Sequence, residues 1–236
     1  MKKIKLGALT LAAVLASSYG VTASADDFLA NDVRIGSYSV FYHTSADDLA
    51  GPYVPPGENL NFKAENLETL YLGYIRWLTP DIDIELAMGY PPLAKIKGSG
   101  PATVGSVPYD GQVISSARWI APTLLLEYNF LSVNSPIRPY LGVGVNYTTF
   151  YDRDSTSAGN AASGGPTKIS LTSSVGPVVT GGLTYRISDR WHLHGSYSWS
   201  RVDTDLKADT DGVIRTSHIH FGPQALVISV GYSFGR

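Results

Sequence analysis

The side chains best suited to chemistry are the histidines, four of which form two His-x-His pairs. His192 and His194 flank Leu193, and His218 and His220 flank Ile219. On a strand, both members of such a pair point to one face. With His43 the second pair would offer three nitrogen ligands, a zinc-like set, but histidines at that outer position are ordinarily solvated and no metal is expected. The first pair has Ser196, Ser198 and Ser200 for neighbours, the raw material of an acyl-transfer triad. An enzyme acting on membrane lipid would need these groups on the apolar side of their strand, whereas they share the polar side. There is no phosphate-binding Gly-rich loop and no serine elbow. The chain has no cysteine, so neither a disulfide framework nor thiolate chemistry arises. Asn146-Tyr147-Thr148 is a formal glycosylation sequon, but it falls inside a strand pattern and is read as chance. No catalytic residue and no cofactor are therefore expected, and the chain does not read as an enzyme.

The elements that carry these residues alternate with period two. In Gln224–Phe234, Leu226, Ile228, Val230, Tyr232 and Phe234 share one parity, while Ala225, Val227, Ser229, Gly231 and Ser233 fill the other. One face of that strand is continuously apolar and the other is small or polar. The pattern recurs over Val33–His43, Leu67–Leu78, Ile82–Tyr90, Ser116–Phe130, Ile137–Tyr151, Val175–Ile187 and Trp191–Asp203. Between them, Ala46–Glu65, Pro91–Gly111, Asp152–Gly165 and Asp205–Val213 read as long loops from their Gly, Pro and Ser content. Thr79–Asp81, Ser132–Pro136 and Ser188–Arg190 read as short turns.

The chain opens with Lys2, Lys3 and Lys5, an apolar run over Leu6–Ala16, and Ala23-Ser24-Ala25 before Asp26. These are the three parts of a secretory signal peptide, and the run is too short to span a bilayer. Residues 1–25 are set apart from residues 26–236, which form one domain. Without the leader, 15 basic residues face 20 acidic ones, so no basic footprint for nucleic acid exists. No run of 18 apolar residues follows the leader, yet 15 Tyr and four Trp are present, and mean hydropathy is +0.01. An exported chain with alternating hydrophobicity and connections of alternating length fits an all-β fold, an eight-stranded antiparallel transmembrane β-barrel in the outer membrane. Its short turns lie in the periplasm and its four longer loops outside. Trp77, Trp191, Tyr128 and Phe234 are placed in the aromatic girdle near the short-turn end.

With the small or polar parity inward, Arg34, Arg76, Glu85, Glu127, Arg186, His192 and His194 collect near the periplasmic mouth. An eight-stranded bore is just wide enough to be filled by side chains, so these charges are expected to pair and plug it. Further out, Tyr38, Val40, Leu70, Leu72, Tyr74, Trp119, Leu125 and Phe150 point into the lumen. Two readings stand for them: an apolar entry for a greasy ligand, or packing of a small core. Pro122, Pro177 and Pro223 each remove a ladder donor, marking bulges or openings in the wall.

Several segments resemble the OmpW/AlkL family of outer-membrane proteins. They are RWIAPTLLLEYNF at Arg118–Phe130, IRPYLGVGVNYTTFY at Ile137–Tyr151, DRWHLHGSYSWSRVDT at Asp189–Thr204 and HFGPQALVISVGYSF at His220–Phe234. Leu70–Gly98 is similar through its Thr-Pro-Asp-Ile turn and ELAMGYPPLAKIKG. The resemblance covers nearly the whole mature chain. It implies passive uptake of small hydrophobic molecules through an apolar channel closed toward the periplasm, with a lateral exit through the wall. It also implies an apolar gate residue at Leu70 or Leu72. Ser198 departs from the pattern, standing where some members carry an inward Trp, and Gly235-Arg236 follow the terminal aromatic Phe234. The expected partners are outer-membrane lipid, small hydrophobic ligands and, during insertion, the barrel-assembly machinery, with the protein a monomer. The alternative from another class is a surface-binding or adhesin barrel that acts through its extracellular loops.

Overall fold

A computed structural model describes residues 30–235, apart from 55–59, 102, 105 and 106. The expected signal segment lies outside the described residues. Eight strands close a ring: strand one Asn31–Phe41, two Leu67–Trp77, three Ile82–Gly89, four Thr123–Asn129, five Ile137–Ser155, six Ser174–Arg186, seven Trp191–Ser200 and eight Gln224–Phe234. Each pairs antiparallel with its sequence neighbour in the ring, and strand one closes on strand eight from Asn31↔Phe234 to Phe41↔Gln224. Closure leaves no sheet edge to lipid, which offers no hydrogen-bond partners.

The ring is apolar outside and polar within, the reverse of a soluble domain. Ile35, Leu126, Leu141, Val143, Leu183 and Ile228 are exposed, while Arg34, Glu85, Glu127, His192 and His194 are buried. Trp191, Tyr128 and Phe234 face outward near the short turns as expected. Trp77 does not. It turns into the periplasmic mouth, where its Nε1 donates to Asp32 Oδ2 at 3.0 Å and the Arg138 guanidinium sits 5.2 Å from its ring centroid.

Above the ring, the connections read as loops are largely strands. Asn61–Ala64, Leu93–Ser99, Val113–Ile120, the upper part of strand five, Thr167–Leu171, Asp203–Thr210, Val213–His220 and Ser45–Ala46 form an outer tier in that order. The stretch Asp205–Val213, expected as a loop, is instead half of a long hairpin. Its two-residue turn is Asp211-Gly212, with φ of 48° and 87°, the Asp-Gly pair that such a turn favours. Likewise Asp152–Gly165 holds the end of strand five and a short helix, Ser157–Ser163, capped by Thr156 and by Gly164. Leu206 and Ile219 face inward and join Phe62, Tyr109 and Phe221 in an apolar cluster. The outer tier thus has its own core.

Candidate functional site

Strand two corrects the expected lining. Leu70, Leu72 and Tyr74 are 44%, 41% and 42% exposed and face lipid, and Arg76 is exposed with them. Inward instead are Tyr71, Gly73 and Ile75. Cross-strand partners share a face, and Ile75 is registered with Glu85 while Gly73 is registered with Arg34. The two parities of this strand are almost equally apolar, so the small-or-polar rule had nothing to act on. Glu68 and Arg76 suggest an inward face, but they sit at the two ends of the strand. There Glu68 accepts from Ser37 Oγ at 2.6 Å, and Arg76 Nη1 donates to Asn31 Oδ1 at 3.0 Å.

The remaining lining residues do come together, in adjoining spaces down the lumen. An outer vestibule of about 230 Å³ is bounded by Leu49, Leu60, Phe62, Tyr109, Ile114 and Leu206 among others. Ala64, Ile96, Ala117, Leu171 and Phe221 belong both to its wall and to that of a narrower waist of about 50 Å³. Tyr38, Val40, Trp119 and Phe150 line the waist. Tyr42, on the Tyr38 and Val40 parity of the expected first strand but not named in the lining, and Phe221, in a break before strand eight, complete an aromatic collar with ring centroids 5.9 Å apart. Below it, a further space of about 50 Å³ shares Tyr38, Ala121, Asn146 and Ser200 with the waist and reaches Leu125, Tyr140 and Glu85. The lumen therefore changes from apolar to polar with depth.

A charged layer closes the bottom. Arg34 Nη1 donates to Glu85 Oε2 at 3.2 Å, with both side chains buried, and the Tyr71 hydroxyl donates to the other Glu85 oxygen. Glu127 is 1% exposed, and neither of its carboxylate oxygens has a partner. Asn129 Nδ2 donates to Asp83 Oδ2 at 2.6 Å. His194 bridges Tyr140 through Nε2 at 2.6 Å and Ser229 through Nδ1 at 3.2 Å, its ring stacked on the Tyr140 ring. His192 lies 3.9 Å from Asp32. Two glycines carve space for the layer. A Cβ on Gly231 would sit 1.9 Å from His192 Nε2, and one on Gly73 would sit 2.5 Å from the Tyr71 hydroxyl. Arg186 stands apart from the layer, half-buried at the periplasmic mouth, bonded to the Asn134 carbonyl. Asp32, Asp83, Asn129 and Arg138 also belong to this end. Their inward parity was readable, but they lie at strand termini beyond the clearest alternation.

The wall departs from its ladder beside the waist. Between strands three and four, pairing ends at Ala87↔Thr123 and resumes at Leu93↔Arg118. Pro91, Pro92 and Pro122 fall in that interval, and the Arg118 guanidinium bonds the Pro91 carbonyl at 3.0 Å. Pro223 lies in a break between Val213–His220 and strand eight, its carbonyl bonded by the Ser200 amide. Pro177 marks no opening. The ladder runs through it opposite Val145, and its carbonyl accepts from the Arg201 amide at 3.1 Å.

The outer histidines pin the long hairpin. His218 and His220 each place Nδ1 2.6 Å from a carboxylate directly across the ladder, Asp205 and Asp203. The hydrogen bond to Asp205 holds the His218 imidazole above its usual pKa. Burial pushes the Asp203 carboxyl up, but hydrogen bonds from His220 and Arg201 outweigh it and hold the group below the ordinary carboxylate value. Among the described residues, no three His, Asp or Glu side chains surround a common point.

A closed eight-stranded ring, greasy outside and ionic within, is a β-barrel protein of the outer membrane. The chain belongs to the OmpW family, whose model matches residues 24–234. It is 30% identical to outer membrane protein W of Vibrio cholerae over 229 residues, 97% of this chain and 95% of that protein. It is also 30% identical over 123 residues to the dibenzothiophene metabolism operon protein PahQ of Pseudomonas aeruginosa, covering 50% of this chain and 52% of that one. The crystal structure of the outer membrane protein OprG from Pseudomonas aeruginosa superposes with a TM-score of 0.78 at 22% identity, covering 89% of this chain and 97% of that one. At that identity the likeness bears on the fold.

Proposed function

We propose that the barrel admits small hydrophobic molecules from outside and releases them sideways into the membrane, without chemistry and down their gradient. The observation that carries this reading is the lumen's gradient: an apolar vestibule and aromatic waist standing directly on a closed ionic layer. An apolar solute gains by leaving water for the vestibule and loses if it advances among carboxylates and a guanidinium. The interval between Ala87–Leu93 and Arg118–Thr123, which has no ladder bonds, lies beside the waist: Trp119 and Ala121 fall within it and line the waist. Leu70 and Leu72 then serve on the lipid side of that exit rather than in the bore, since the Leu70 carbonyl accepts from the Tyr90 amide. The relative named for an operon of dibenzothiophene metabolism, a pathway for a greasy aromatic, agrees with this.

Ala94 sits buried in the waist between Val40 and Trp119. Ala94→Trp is expected to fill it and reduce uptake of an alkane to that of cells lacking the protein, while the variant still inserts as a folded barrel. Unchanged alkane uptake in a folded Ala94→Trp protein would contradict the route.

A further inference from the structure

The outer vestibule is walled by apolar and hydroxyl-bearing side chains, with a single charge among the described residues that line it, Arg215. This residue stands on the inner face of the long hairpin, directly across the ladder from Ala208. The hairpin turns Asp205 and Lys207 outward, and Ile214, next to the arginine in sequence, is exposed with them. A register shift of one residue would put Ile214 inside and the guanidinium in water. Arg215 is instead 8% exposed, and no carboxylate among the described residues pairs with it. Arginine is almost never buried without a counter-charge. Its Nε donates to the Pro52 carbonyl at 3.1 Å and its Nη1 to Thr210 Oγ1 at 3.4 Å. Both acceptors are neutral, so they hold the side chain in place and leave its charge unmet. Nη2 makes no hydrogen bond among the described residues.

We infer that the vestibule captures single-chain carboxylates of the fatty-acid kind, with Arg215 holding the head group and the tail pointing toward the waist. This rests on the uptake reading above and names a substrate class for it. A planar carboxylate matches the guanidinium fork, and one negative charge balances one positive charge. A doubly charged phosphate would remain uncompensated, and an amine would be repelled. The tail has its own path. Phe62, Leu206 and Ile219 surround the head-group end, and Ala64, Ile96 and Phe221 continue the apolar wall from vestibule to waist. A small hydrophilic anion would lose its hydration in such a space and gain only one ion pair. A plain alkane fills the space but leaves the charge unmet.

The test uses the mature protein in phosphatidylcholine nanodiscs at neutral pH, with arginine side chains labelled with nitrogen-15. The Arg215 Nε–H resonance is assigned by its loss in Arg215→Gln or, if that variant fails to fold, in Arg215→Lys. Decanoate is expected to move this resonance together with the methyls of Leu206 and Ile219. Decanol is expected to move the methyls alone, and acetate neither. In cells, Arg215→Gln is expected to lower the decanoate-to-decane uptake ratio about ten-fold, the worth of one charge-assisted hydrogen bond. If decanoate and decanol both perturb the methyls but Arg215 answers neither, or answers both alike, head-group recognition is overturned while the uptake route stands. An equal response of Arg215 to acetate and decanoate would also overturn it, since the tail would then contribute nothing. If no probe reaches those methyls, both readings fall together.

Discussion

The upper and lower halves of the lumen use the same strand alternation to opposite ends. Above, Val40, Ala94, Trp119 and Phe150 turn inward and leave space. Below, Arg34, Glu85, Glu127, His192 and His194 turn inward and leave almost none. Apolar groups in the upper half lose little when a void remains, because a greasy occupant can replace water there. In the lower half the buried Arg34–Glu85 ion pair is stable only while both members are present. On the uptake route proposed above, the difference separates the roles: the layer resists passage, whereas the waist conducts. A barrel packed uniformly with ion pairs would be a staple, and one lined uniformly with polar groups would be a pore.

The sharpest way to break the contrast is to remove the guanidinium that pairs with Glu85. Arg34→Ala leaves Glu85 without its ion-pair partner, and stability in lipid vesicles, followed by urea unfolding, is expected to fall by about 3–5 kcal/mol. Val40→Ala in the waist is expected to cost clearly less by the same assay, since it only enlarges a space that already exists. A smaller effect comes from overfilling the layer. Gly231→Val forces His192 out of its niche and is expected to cost about 1–3 kcal/mol, read from the same curves.

The smallest effect belongs to the outer hairpin, away from both halves. The Asp205 hydrogen bond raises the His218 pKa, so the charged pair adds stability that is fully present below the unfolded imidazole value. That contribution is lost as pH rises through the folded value. Asp205→Asn is expected to return the His218 titration, followed by NMR, toward the ordinary imidazole value, leaving uptake unchanged. An unaltered titration would show that the pair does not form.

Much of this architecture was legible in the sequence because lipid is an unforgiving solvent. Every strand that crosses it must show one apolar face, so Gln224–Phe234 and Trp191–Ser200 declared themselves. Strand two was ambiguous for a physical reason: Tyr71 and Ile75 can line a bore as well as Leu70 and Leu72 can meet lipid. Only the pairing of Ile75 with Glu85 decides between them, and register is a long-range property. The ionic layer was half visible. Glu85 and Glu127 stand out on apolar strands, but the glycines that make room for it reveal their purpose only when His192 or Tyr71 is seen opposite. The outer tier was hidden because lipid no longer disciplines it. Its strands carry Gly, Ser and Asp freely, and the Asp211-Gly212 turn was the signal that could have found the hairpin. Proline positions were a partial guide, since Pro122 lies in the wall interval with Pro91 and Pro92, whereas Pro177 sits in an intact ladder.

The most direct measurement compares whole-cell entry of a long alkane with that of a small hydrophilic sugar, in cells with and without the protein. The expected result is faster alkane entry with sugar entry unchanged, because the apolar waist is open and the ionic layer below it is closed. Faster sugar entry would contradict this outright by revealing an aqueous pore through the layer. No change in either would turn attention to the outer tier as a binding surface.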